Sequence, residues 1–223
     1  MKGRIFEVFE SIQGEGLYLG EKQIFVRMHG CNLSCRYCDT FMDRFREYEP
    51  LELIEEIGLH GNDFHSISFT GGEPLLQKDF LKEVLQHTRN LGYKNYLETN
   101  ATLSGELEDV IDYLDFLSID LKLPTSTGMG RLWGLHRKFL KIASRKENFI
   151  KAVICSTTIE DDLRYAIDLI KDTSPQSILV LQPNSLDYNE HLQVMLRKFR
   201  EVCQESKVTA CIIPQVHKII GIK

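Results

Sequence analysis

A chain of 223 residues has room for one domain and is short for a complete eight-unit α/β barrel, which usually takes about 250 residues. Hydrophobic residues at 43% and charged residues at 26% exclude a disordered or collagen-like chain. The formal net charge of −5 excludes a protein built to coat nucleic acid, because a phosphate backbone asks for a basic face.

No apolar run reaches the length of a membrane span. Glu7 and Glu10 come too early for the apolar core of a signal peptide. The expected compartment is the cytoplasm. In chain order, β-rich runs occupy 4–10, 24–28, 66–69, 95–98, 116–120, 149–155, 178–181 and 208–213. Several are almost continuously apolar and β-branched, as in Ile178-Leu179-Val180-Leu181, which suits parallel strands buried on both faces. Between them lie helical stripes at i, i+3, i+4, i+7 spacing. These are Phe80, Leu81, Val84 and Leu85; Leu107, Val110, Ile111 and Leu114; Leu163, Ala166, Ile167 and Ile170; and Leu192, Met195, Leu196 and Phe199. Pro74 stands just before the first, where proline is tolerated.

Repeated β-α-β units predict a parallel sheet with right-handed crossovers. The fold expected is a partial, open α/β barrel of about six to seven parallel strands, with a doubly wound open sheet as the alternative. One domain covers 1–223, with an N-terminal strand at 4–10, a cysteine loop at 29–48 and a docked tail at 214–223. A second irregular segment, 124–130, is rich in Gly, Ser and Thr. Both irregular segments follow strands, so both belong at the C-terminal face, where parallel α/β folds build their sites.

Three of the six cysteines, Cys31, Cys35 and Cys38, share one short stretch. A reducing compartment gives disulfides little chance, so the cluster reads as metal or redox chemistry. A structural zinc would need a distant fourth ligand. An iron–sulfur cubane normally takes four cysteines, so three would leave one iron open. Three unrelated thiols is the blandest reading. After the run 66–69 comes Thr70-Gly71-Gly72-Glu73-Pro74, either a tight turn or a place where a ligand approaches the backbone. Polar groups end three further strands: Glu98-Thr99-Asn100, Asp120-Leu121-Lys122 and Gln182-Pro183-Asn184-Ser185. Such ends line sites in this class of fold, although Glu98 and Lys122 could form a plain ion pair. Arg27, flanked by apolar residues, reads as buried and in need of an anion. The turn Ser11-Ile12-Gln13-Gly14-Glu15-Gly16 offers donors and acceptors for a nitrogen heterocycle. The end of the chain, with Gln215 and His217, stays apolar enough to dock.

The Cys-x₃-Cys-x₂-Cys spacing resembles the signature of the radical S-adenosylmethionine (SAM) superfamily. Adding Gln-Gly-Glu-Gly, Cys-Asp-Thr, Thr-Gly-Gly-Glu-Pro, Glu-Thr-Asn and Pro-Gln-x-His-Lys, the chain resembles the 7-carboxy-7-deazaguanine synthase family from Ser11 to Lys218. That resemblance implies a [4Fe-4S] cluster on Cys31, Cys35 and Cys38, whose open iron chelates SAM and whose electron releases a deoxyadenosyl radical. It implies SAM contacts from Tyr37, Gly71, Gly72, Glu73, Glu98, Asp120, Leu121, Lys122, Gln182, Pro183, Asn184 and Ser185, and Mg²⁺ on Thr40. It implies a carboxy-tetrahydropterin substrate held by Ile12, Gln13, Gly14, Glu15, Arg27, Thr70, Gln215, His217 and the end of the chain at Lys223. The ring would contract with loss of ammonia and SAM would be regenerated. Tyr37 stands where the family commonly has tryptophan, and Asp120 where serine is frequent. The partners implied are the pterin, a flavodoxin- or ferredoxin-type electron donor and a second copy of the chain, with neither nucleic acid nor membrane. A glycyl-radical-enzyme activase, which shares the cysteine and glycine motifs, is the rival within the superfamily.

Overall fold

The computed structural model describes residues 1–40 and 42–223. Among them, nine strands form one sheet: β1 (Gly3–Ile12), β2 (Lys22–Met28), β3 (Arg46–Tyr48), β4 (Ser66–Gly71), β5 (Asn95–Thr99), β6 (Phe116–Asp120), β7 (Glu147–Ile154), β8 (Leu179–Pro183) and β9 (Ala210–Ile212). Helices α1 (Pro50–Gly58), α2 (Lys78–Asn90), α3 (Ser104–Val110), α4 (Pro124–Thr127), α5 (Trp133–Ala143), α6 (Glu160–Thr173), α7 (Glu190–Glu205) and α8 (Val216–Ile220) make the connections and the tail. All eight predicted strands are present.

The sheet runs in the order β3-β1-β2-β4-β5-β6-β7-β8-β9. From β2 to β9 every pairing is parallel. Through the parallel part, from β2 to β9, the order never reverses, and right-handed crossovers in an unreversed run put the helices that connect its strands on the same face. A doubly wound sheet needs a reversal, so the alternative fold is set aside. The sheet is open, ending at β3 and β9, as an abridged barrel should. β1 departs from the parallel pattern by pairing antiparallel with both β2 and β3.

Strand alternation divides the interior in two. Ile24, Val26 and Met28 of β2, with Ile67 and Phe69 of β4, face the helical layer in one large apolar core. The opposite face carries a smaller plug of Tyr96, Phe116, Phe149 and Val180 near the strands' N-terminal ends. The connection from β1 to β2 packs onto this plug: the Tyr18 ring lies 4.8 Å from Phe116 and edge-on to Tyr96 at 5.5 Å. Gly16 (φ +65°) is required there, because a Cβ would sit 2.3 Å from the Phe149 ring. Above the plug the inner face turns polar.

Candidate active site

The polar inner face bounds a cavity of about 530 Å³, within the range of small-molecule sites. Cys31, Cys35 and Cys38 lie on one of its walls, on the loop that leaves β2. That loop is pinned at its root. Gly72 N donates to Met28 O at 3.0 Å and Glu73 N to Gly30 O at 2.8 Å. Any side chain on Gly72 would place Cβ 1.9 Å from Gly30 O; on Gly71 (φ +116°) it would meet Met28 O at 2.4 Å. The double glycine therefore serves first to bring β4 against the cysteine loop. Farther along, Arg36 N donates to Thr127 O at 2.8 Å, and the Arg36 guanidinium covers Gly128.

Charges also meet on the largely buried wall of the cavity. Lys151, 6% exposed on β7, donates to Glu15 at 2.5 Å and stands 3.8 Å from Asp120. Burial alone would raise the Glu15 carboxyl, but the Lys151 ammonium and the Gln215 amide hold it down to about 2. Lys122 donates to Asp120 at 2.7 Å and to the Tyr37 hydroxyl at 3.3 Å. Burial opposes its charge, yet the Asp120 carboxylate keeps the ammonium well above its ordinary value. Glu98 accepts from the Gln13 amide at 2.9 Å, and burial raises its pKa. The Gln13 amide also donates to Gln23 and accepts from Glu15 N, so its side chain is fully engaged within the protein.

The tail closes the gap left by the open sheet. Val216 N donates to Gly14 O at 2.9 Å, Gln215 to Glu15 at 2.7 Å, and Ser11 to the Lys223 backbone oxygen at 2.7 Å. Lys218 pairs with Asp39 and Lys223 with Glu7. Gly14 lies flat on the His217 ring, whose Nδ1 a Cβ would approach to 2.4 Å.

A model of the radical SAM superfamily matches residues 25–154. The 7-carboxy-7-deazaguanine synthase of Geobacter sulfurreducens is 34% identical over 96% of both chains, and that of Thermococcus kodakarensis 32% over 97% of both. The synthase of Methanothermobacter thermautotrophicus is 48% identical over 55% of this chain and 51% of its own. The chain belongs to the 7-carboxy-7-deazaguanine synthase family of the radical SAM superfamily. Its fold is also similar to the crystal structure of QueE from Escherichia coli, with a TM-score of 0.66 and 19% identity over 95% of this chain and 94% of that one.

Radical SAM enzymes use a [4Fe-4S] cluster and SAM, and the cavity fits both. Among the described residues no group of three His, Cys, Asp and Glu side chains converges on a single ion. A cubane instead takes each thiolate on a different iron and needs separated sulfurs. Asp120 Oδ1 and Gln182 Oε1 are buried on the cavity wall without a hydrogen-bond partner, as acceptors for an amine or hydroxyl would be.

Most residues that the family resemblance singled out reach the wall: Ile12, Gln13, Gly14, Glu15, Arg27, Tyr37, Thr40, Thr70, Gly71, Gly72, Glu98, Asp120, Lys122, Gln182, Asn184, Gln215, His217 and Lys223. Four do not. Glu73 is fully buried and accepts from Thr99, Asn100 N and Leu75 N; burial pushes its pKa up to about 7 against these three donors. Leu121 is in the outer core. Pro183 is buried within β8, and Ser185 accepts from Lys218. One expectation changes: Arg27 is part-exposed, stacked over Phe9 and paired with Glu7 at 2.9 Å, where the sequence predicts burial. The alternative of a plain Glu98–Lys122 ion pair is not realised, because Lys122 pairs with Asp120. Asn100, which ends the Glu98-Thr99-Asn100 run, is on the wall as well, and Lys151 is a buried wall residue that no motif contains. Lys151 had a signal: a single lysine inside Phe149-Ile150-Lys151-Ala152-Val153.

Proposed function

We propose that this protein converts 6-carboxy-5,6,7,8-tetrahydropterin to 7-carboxy-7-deazaguanine with loss of ammonia, using SAM catalytically. The observation that carries the reading is one cavity bounded jointly by the three cysteines, the Gly71-Gly72 turn, the Gln13–Glu15 floor and the docked tail. An activase must admit a loop of a partner protein and has no need of the Gln13–Glu15 floor or of tail residues Gln215 and His217 lining the cavity, so the rival is not favoured.

Cys31, Cys35 and Cys38 would hold three irons and leave the fourth for SAM. The bound cluster and SAM supply the electron and the radical that removes a hydrogen from the pterin. The protein's part is placement. Lys122, fixed by Asp120 and Tyr37, presents an ammonium suited to the SAM carboxylate. The strand-end groups Glu98, Asp120, Gln182 and Asn184 surround the rest of the cofactor. Arg27 spends only part of its five-donor fork on Glu7, which leaves donors for the substrate carboxylate. Glu15, kept ionised by Lys151, is an acceptor for the N–H groups of the pterin. Backbone groups of Ile12, Gln13 and Gly14, with Thr70, Gln215, His217 and Lys223, complete the substrate pocket. The Thr40 hydroxyl is a weak ligand, so Mg²⁺ would rest mostly on substrate oxygens and water. The electron donor is of flavodoxin or ferredoxin type, and the working form is a homodimer in the cytoplasm.

The test is anaerobic reconstitution followed by incubation with dithionite, SAM, Mg²⁺ and the carboxy-tetrahydropterin. The deazapurine is the expected product. Deoxyadenosine without deazapurine would overturn the substrate, and bound zinc without iron would overturn the radical chemistry.

A further inference from the structure

We propose that Asn100 tunes the reduction potential of the cluster by donating an N–H···S hydrogen bond to the sulfur of Cys31. This rests on the cluster assignment above and adds to it. Asn100 follows β5 and is 5% exposed on the cavity wall. Its backbone N–H donates to Glu73 at 2.7 Å. Its side-chain Oδ1 accepts from both the hydroxyl and the backbone N–H of Thr102, at 2.5 and 3.2 Å. A backbone N–H can only donate, so the amide orientation is fixed with oxygen toward Thr102 and nitrogen toward the cysteine loop. Nδ2 donates one hydrogen to Asn32 Oδ1 at 2.8 Å and lies 3.9 Å from Cys31 Sγ, within sulfur hydrogen-bond range. Two hydrogens on one nitrogen serve these two acceptors.

The backbone is bent to achieve this. Ala101 has φ +59°, the left-handed region that side-chain-bearing residues avoid, and the bend folds Thr102 back onto the Asn100 amide. Held strain of this kind is found where a side chain must be aimed. Cys31 also takes the Leu33 N–H at 3.4 Å. Among the described residues no side-chain amide is set against Cys35 or Cys38, so the assistance is concentrated on Cys31.

Reduction adds one electron and no proton, so negative charge grows on the cluster and its thiolates. An N–H dipole aimed at a thiolate sulfur stabilises the reduced state more than the oxidised one and raises the potential. Asn100 is thus a positioning and tuning residue that eases electron entry.

The experiment is an anaerobic redox titration without SAM, followed by the EPR signal of the reduced cluster, on wild type, Asn100→Ala and Asn100→Ser. Iron is counted first, and wild-type protein that takes up none refutes the cluster assignment itself. With full iron, the Asn100→Ala midpoint should move negative by about 59 mV, a tenfold fall in the one-electron reduction equilibrium. The shorter serine, unable to reach Sγ, should also shift it negative. An unchanged midpoint in either iron-replete variant overturns the proposal. So does loss of iron from both variants with circular dichroism unchanged, since Asn100 would then hold the loop and not tune the cluster.

Discussion

At the scale of single residues, the interior turns on Lys151. A lysine at mid-strand costs desolvation, which Glu15 at 2.5 Å offsets. Glu15 gains in return, its pKa falling from 4.5 to about 2. A depressed folded-state pKa contributes stability that is full above the unfolded value and fades as pH falls through the folded one. The stability that the pair contributes is therefore fully present above the ordinary carboxylate range and is lost as pH falls through the depressed folded-state value. Lys151→Met leaves Glu15 buried and uncompensated, and should destabilise the protein by roughly 3–5 kcal/mol in urea melts at neutral pH. Adding Glu15→Gln removes the orphaned charge, so the double variant should recover much of the loss and show a flatter acid limb. A single variant with wild-type stability would mean that water already shields the pair. Lys151 escaped the sequence reading because no motif contains it, and only its placement beside Glu15, 136 positions away, gives it a role.

At the scale of elements, hydrophobic pattern made the strands legible and left their edges obscure. Runs such as Phe116–Asp120 are buried on both sides and announce themselves. β3 is Arg46-Glu47-Tyr48 at the end of the sheet, with two of its three residues exposed, and an edge strand has no apolar signal to read. α4 fell within a segment read as a loop, because its stability comes from tertiary partners: Thr125 bonds to Asp162, and Ser126 to Thr158. The stripe from Leu107 to Leu114 crosses a change from α-helix to a tighter turn at Ile111–Tyr113, yet all four apolar residues stay buried. The glycine motif was visible, but its first duty was not. Gly72→Ala forces the β4 end and Gly30 apart, at a cost of about 1–3 kcal/mol for overpacking. The barrel should still fold, with unchanged circular dichroism, while iron uptake on reconstitution drops. Full iron and an unshifted melt would show that the loop root yields freely.

At the scale of the whole molecule, the open sheet makes the tail part of the site. β3 and β9 end the sheet without meeting, and 214–223 spans the inner side from β9 to the end of β1. α8 buries none of its residues, so the tail is held by polar contacts: Gln215 to Glu15, Lys218 to Asp39, Lys223 to Glu7. Exposed ion pairs contribute about 0–1 kcal/mol each and weaken with salt. Opening the tail should therefore cost far less than unfolding the sheet, and local opening of this kind is the expected route for substrate entry and product release. Amides of Val216 and Ile222 should exchange with deuterium well before those of β6 and β7. Raising salt from about 0.05 to 0.5 M, which shrinks the screening length several-fold, should speed that exchange further. The same change should raise KM for the pterin more than it lowers kcat, because a loosened tail weakens binding without disturbing the cysteine loop. Tail amides as protected as those of β6, at either salt concentration, would mean instead that the tail is a fixed wall and that substrate enters elsewhere.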